Sequence, residues 1–364
     1  MTNASRIATP DIARALALSG VVAMNYHAYL NRSEAIRPLH PSVWQDIFNP
    51  NTGFLTTRFA ALFVLVAGVS LSLFVEKTSR QRQKIQLTIF RRGFFLLVVG
   101  YCVEWIWHGT ILFYYGAYFL LATFFIFRTT RTLLVTAFLA VVAGSALQAW
   151  RLSEAFDGHR TAWLEPRSIS TPRDFLIRVF ASYTHPLLPW FAFICAGILL
   201  GRHLGSIALW RAKVATSALA VTGCAYLLSH LVHDFIEPTT QWNVALRSLA
   251  STNPSSRGIL YSITTCGVAI CVFLLVSIWC EKRSLDRLKN ILQRIGQTTL
   301  TIYIAHVLFY NGIVNRLHWV KPTGIDTALV LSGVFLCLAA ALSLCWTRFM
   351  GQGPLERLYR LLGG

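Results

Sequence analysis

Apolar residues run through this chain in ten blocks, at about 12–30, 58–75, 92–107, 110–127, 132–150, 175–201, 207–233, 258–279, 297–317 and 325–348. The blocks are long enough to test against a bilayer, because a helix crossing the hydrocarbon needs about 20 mostly apolar residues. Charged residues gather between the blocks, leaving few inside them. The pattern therefore predicts an all-α protein, a polytopic integral membrane helix bundle of about ten transmembrane helices. Pro186 and Pro189 fall inside the sixth block and predict a kink there, since proline removes a backbone donor and crowds the preceding turn.

Composition agrees with that reading and excludes others. The chain is 55% hydrophobic and 13% charged, about half the charge of a typical soluble domain, which excludes a water-soluble enzyme, a disordered chain and a disulfide scaffold. Lys and Arg number 33 against 15 Asp and Glu. The basic residues sit between apolar blocks and do not form a nucleic-acid-binding face, so no nucleic-acid partner is expected and the lipid bilayer is. With the N-terminus in the cytoplasm, 21 of the 33 fall on the inner side and 12 on the outer, the asymmetry the positive-inside rule requires. Both termini are then cytoplasmic. The longest loops, about 31–57, 151–174 and 234–257, face outward, and residues 1–364 read as a single transmembrane domain. The first block reads as a retained helix in place of a removed signal peptide. The eight cysteines lie in or at the ends of the blocks with no metal spacing, so no metal is expected.

Polar residues inside the blocks are candidates for chemistry, because an ionisable group in lipid is expensive and turns toward the protein interior. Arg14 and Asn25 are eleven residues apart, which places them within about 20° of one helix face and about 16 Å apart along the axis. With Asp11 they form a polar stripe along the first helix. His27, two residues beyond Asn25, is rotated by about 200° and faces away. Thr299, Tyr303, His306 and Tyr310 make a second stripe on the ninth block. Such stripes line pockets, and they also act as glue between helices. Glu104 and His108 form an i,i+4 pair, either a site or a structural pair with a loop arginine such as Arg151 or Arg167. His230 and Asp234 repeat that spacing. Lys77, Arg80, Arg82, Lys84, Arg91 and Arg92 form an inner basic cluster of the kind that any membrane protein carries and that also attracts polyanions.

Asp11-x-x-Arg14, the Met24-Asn25-Tyr26 helix end, the His40-Pro-Ser-Val-Trp44 loop and Phe63 through Gly68 to Ser70 resemble the heparan-α-glucosaminide N-acetyltransferase family. Arg91-Arg92-Gly93, Ile111 through Gly116, Pro186 through Trp190 leading to Gly197-x-x-x-Gly201-Arg202, Gly296 through His306, and Gly353-Pro354-Leu355-Glu356 are similar to segments of its bacterial relatives. The resemblance implies a membrane-embedded acyltransferase in the cell membrane, the inner or plasma membrane in a bacterium. The enzyme would take an acyl group, acetyl above all, from cytoplasmic acyl-CoA and give it to an extracytoplasmic sugar, glycan or other small acceptor. Carried over residue by residue, it implies catalytic roles for His40 and Asn25, with His27 as the second choice for the histidine. His306 joins the catalytic candidates from its stripe. Arg14, Arg91, Arg92 and Tyr303 are the candidates for holding the acyl-CoA donor. A transporter or permease for a small solute, or a non-catalytic protein of the same fold, is the alternative, and a homodimer stays open.

Overall fold

In the computed structural model the described residues are 8–31, 47–49, 53–78, 81–166, 168–182, 184–282, 285–321 and 325–363. Among them the regular structure is helical, without a strand. The apolar blocks become α1 (Thr9–Asn31), α2 (Arg58–Lys77), α3 (Arg82–Glu104), α4 (Ile111–Phe125), α5 (Thr130–Phe156), α7 (Leu187–Arg202), α8 (Ile207–Phe235), α10 (Ile259–Glu281), α12 (Thr299–Tyr310) and α13 (Ile325–Met350). Short helices fill the connections: α6 (Pro172–Phe180), α9 (Gln241–Ala250), α11 (Asp286–Gln297) and α14 (Pro354–Gly363). Six helices, α2, α3, α5, α8, α10 and α13, are long and apolar enough to cross a membrane by themselves, and α4 and α7 are shorter apolar helices. The protein is an all-α integral membrane bundle.

Two boundaries depart from the hydropathy pattern for physical reasons. The sixth block is two helices: Pro186 stands at the N-cap position of α7 and Leu188 leaves helical geometry. The tertiary amides at 186 and 189 can donate nothing to a continuous helix, so α6 stops at Phe180 and the chain restarts. The ninth block ends as an α-helix at Tyr310 and continues as a π turn over Asn311–Arg316, a wider winding that is common at functional sites.

The chain divides into two compact units. The first comprises residues 1–63 and 272–361, the second residues 64–271 with 362–364. In the first, α1 packs on α11, α12 and α13 through Ile12, Ala13, Ala15, Leu18, Val22 and Tyr26, each almost fully buried. Backbone contact sets the approach: a Cβ on Gly296 would lie 1.9 Å from the Asp11 carbonyl oxygen, so only glycine lets the end of α11 rest on the start of α1. In the second unit the same device joins α2 to α7. A Cβ on Gly197 would fall 2.0 Å from the Leu65 carbonyl oxygen, and one on Gly68 2.4 Å from that of Ile194. Lipid offers helices no hydrophobic drive to associate, so close packing of small residues carries much of the cohesion.

A polar core along the first helix and its acyltransferase family

The stripe on α1 is anchored from end to end within the first unit. At its start, Arg14 Nη1 donates to Asp11 Oδ1 at 3.3 Å and to the Gly296 carbonyl at 3.2 Å, while Gln297 Nε2 donates to Asp11 Oδ2 at 3.4 Å. The guanidinium thus sits against the carboxyl end of α11, where the helix dipole favours a cation. Three turns later Asn25 Nδ2 lies 3.2 Å from His306 Nε2. His306 Nδ1 is hydrogen-bonded to the Tyr303 carbonyl oxygen, one turn back on α12. A carbonyl only accepts, so Nδ1 carries the proton and Nε2 presents the lone pair that receives the Asn25 N–H. Both residues of the pair were singled out by the sequence, 281 positions apart; the fold brings them together.

An aromatic wall holds the imidazole in place. Its ring centroid is 4.8 Å from Tyr303, 5.9 Å from Tyr26 and 6.4 Å from Phe335, and the Tyr26 hydroxyl donates to the His306 carbonyl at 2.9 Å. His306 is fully buried, whereas Asn25 keeps partial exposure. The histidine therefore anchors an amide on a residue that is itself partly exposed. Thr299, Tyr303 and Tyr310 of the same stripe are also buried.

His27 is buried, and its Nδ1 lies 2.6 Å from the Phe48 carbonyl oxygen, on the side of α1 away from Asn25. His40 lies outside the described residues. Arg91 and Arg92 lie on α3 in the second unit. Arg91 is exposed, and Arg92 stacks its guanidinium over the Phe74 ring at 4.6 Å. The Arg14 side chain is 22% exposed.

The catalytic-domain model for heparan-α-glucosaminide N-acetyltransferase matches residues 6–235. The chain belongs to that family. A second model, for a protein family of unknown function (DUF418), matches residues 211–363. Together the two account for nearly the whole chain, and the first makes this an acyltransferase-type membrane protein. The comparison with curated proteins finds no match. Of the polar core, Asn25 and Arg14 fall in the acetyltransferase match and His306 in the second.

Several contacts within each unit were not assigned from the sequence. Glu356, on α14, accepts from Leu300 N at 2.6 Å, Thr301 N at 3.1 Å and Thr301 Oγ1 at 2.5 Å, so a carboxylate from beyond α13 caps the start of α12. The Gly-Pro-Leu-Glu segment was visible as a motif, but not what it holds. In the second unit, the Glu104 carboxylate accepts from Gly109 N at 2.9 Å and Thr110 N at 3.1 Å. Its cation is Arg178 of α6, a buried ion pair. This corrects the expected loop partner, since Arg151 pairs with Glu165 at 2.5 Å and Arg167 lies outside the described residues. His108 stands 4.0 Å from Glu104, and His230 meets Asp234 at 3.0 Å with both side chains exposed.

Proposed function

We propose that this protein transfers an acyl group, acetyl in the first instance, from cytoplasmic acyl-CoA to an extracytoplasmic sugar or other small acceptor. The observation that carries the reading is the Asn25–His306 pair, set in a membrane bundle whose sequence matches an N-acetyltransferase catalytic domain. The N-terminus lies in the cytoplasm on this reading, so the α1 stripe runs from Arg14 on the donor side toward Asn25 on the acceptor side.

The chemistry follows from the hydrogen bonds. Nε2 of His306 holds one N–H of the Asn25 amide, leaving the second N–H to donate to the thioester carbonyl as it gains negative charge. A fixed donor at such an oxyanion contributes about a hundredfold to a thousandfold in rate. His40, nine positions beyond the last residue of α1 in the sequence, takes the proton from the acceptor hydroxyl or amine, or carries the acyl group transiently. The C–S bond then breaks and the thiolate of CoA leaves on the donor side, taking up a proton there. Tyr303 fixes the protonation pattern of His306 through its carbonyl.

The test is acyl-CoA turnover by purified protein in nanodiscs, with added sugar acceptors. Thioester cleavage that falls with His40→Ala and Asn25→Ala supports the reading. Solute flux across a liposome without thioester cleavage would instead establish a transporter and overturn it.

A further inference from the structure

The second unit contains polar side chains that the acyl-transfer site does not use. The Ser182 hydroxyl, Trp190 Nε1 and His185 Nδ1 are sealed from solvent and find no hydrogen-bond partner among the described residues, and the buried Tyr114 hydroxyl beside them interacts with the Arg178 guanidinium. Tyr114 and Trp190 are fully buried, and Ser182 is 1% exposed. Tyr114, His185 and Trp190 pack against one another, and Ser182 lies three residues before His185. The His185 ring centroid is 6.0 Å from Tyr114 and 4.6 Å from Trp190, each edge to face. The Tyr118 hydroxyl holds the His185 carbonyl at 2.5 Å, and Arg257 Nη1 donates to the Ala181 carbonyl at 3.3 Å.

Charge around the cluster is unbalanced in one direction. Arg178 is neutralised by Glu104 and Arg151 by Glu165. Arg257 has no carboxylate at ion-pair distance among the described residues, and Tyr114 lies within its field. Its backbone is also strained: φ is +46°, in the left-handed region that side chains other than glycine rarely adopt, and Ser145 Oγ grips its carbonyl at 3.2 Å. A structure that holds an arginine there is spending conformational freedom to aim it. Trp190 Nε1 and the guanidinium can only donate, and the hydroxyls and the imidazole can donate as well. The group that satisfies all of them accepts hydrogen bonds and carries one negative charge.

We propose that Tyr114, Ser182, His185, Trp190 and Arg257 form a binding site for a singly charged oxyanion, a phosphate or carboxylate group. Its source is either a soluble molecule or the headgroup of an anionic lipid. A cation is repelled by Arg257, and a neutral carbonyl leaves the guanidinium unneutralised.

The test uses the full-length protein in detergent, titrated with sodium phosphate and with acetate against chloride at matched ionic strength, followed by calorimetry and unfolding temperature. Saturable binding is expected. Tyr114→Phe and Trp190→Phe each weaken it about tenfold, the usual worth of a hydrogen bond to a charged group, and Arg257→Gln abolishes it. In nanodiscs, competition by phosphatidylglycerol but not phosphatidylcholine identifies a lipid headgroup as the source; undiminished phosphate binding in both identifies a soluble one. Absence of saturable binding by either anion, together with no dependence on phosphatidylglycerol, overturns the proposal. So does an unchanged affinity in Tyr114→Phe, a variant that preserves shape and decides the question even where Arg257→Gln fails to fold.

Discussion

The two units solve the problem of polarity in a lipid-embedded core in opposite ways. In the first, each polar group along α1 is answered by another: Arg14 by Asp11 and Gly296, Asn25 by His306, and His306 by Tyr303. In the second, Glu104 and Arg178 answer each other, but nearby donors outnumber acceptors around Tyr114, Trp190 and Arg257. A satisfied network gives rigidity and places an amide to within a narrow angle, as transition-state stabilisation requires. A surplus of donors gives affinity for something that is not protein. The same residue types serve two ends, and the donor count tells them apart.

Substitutions can break or sharpen this contrast. The largest stability effect is expected from Arg178→Ala, which strands the buried Glu104 carboxylate and costs about 3–5 kcal/mol, read as lost yield or a lowered denaturation midpoint in detergent. Changing both partners to apolar residues of similar size is expected to recover most of that loss. In the first unit the effect moves from stability to rate. His306→Ala and Asn25→Ala are each expected to lower acyl-CoA turnover by about a hundredfold. The double variant is expected to be little worse than either, because the two act as one group; fully multiplicative losses would show that they act apart.

Smaller effects test the packing that positions each cluster. Gly296→Ala forces a methyl group onto the Asp11 carbonyl and is expected to cost about 1–3 kcal/mol, whereas alanine at Gly205, with open space around it, is expected to stay within about 0.5 kcal/mol. A change at the lower end of that for Gly296 is expected from Thr110→Val. It removes the side-chain cap of α4 at Leu112 N, a 3.4 Å contact, for about 1 kcal/mol. A larger loss there would mean that the Glu104 turn depends on the hydroxyl.

Most of the helical framework could be read from the sequence, because lipid imposes one length and one composition on every crossing segment. Each apolar block overlies a helix, and the interruption between Phe180 and Leu187 sits where Pro186 and Pro189 placed the kink. The short helices α9 and α11 were missed because they carry too few apolar residues to register as spans. At the candidate site, Asn25, Tyr303 and His306 were each visible as polar positions on apolar faces. Their pairing was not, since a period of 3.6 residues orders side chains on one helix and says nothing about which helix comes to meet it. For the same reason the sequence offers Glu104 a loop arginine such as Arg151 or Arg167 as its partner, while tertiary packing supplies Arg178. His40 lies outside the described residues.

The carboxylate of Glu356 bears on how the molecule is made. Until Glu356 has been made and has folded back, the first amides of α12 lack the carboxylate that caps them, and the helix bearing His306 lacks that clasp. Assembly of the imidazole site is thus a late event in synthesis, and a nascent chain released early is expected to insert in the membrane yet remain inert.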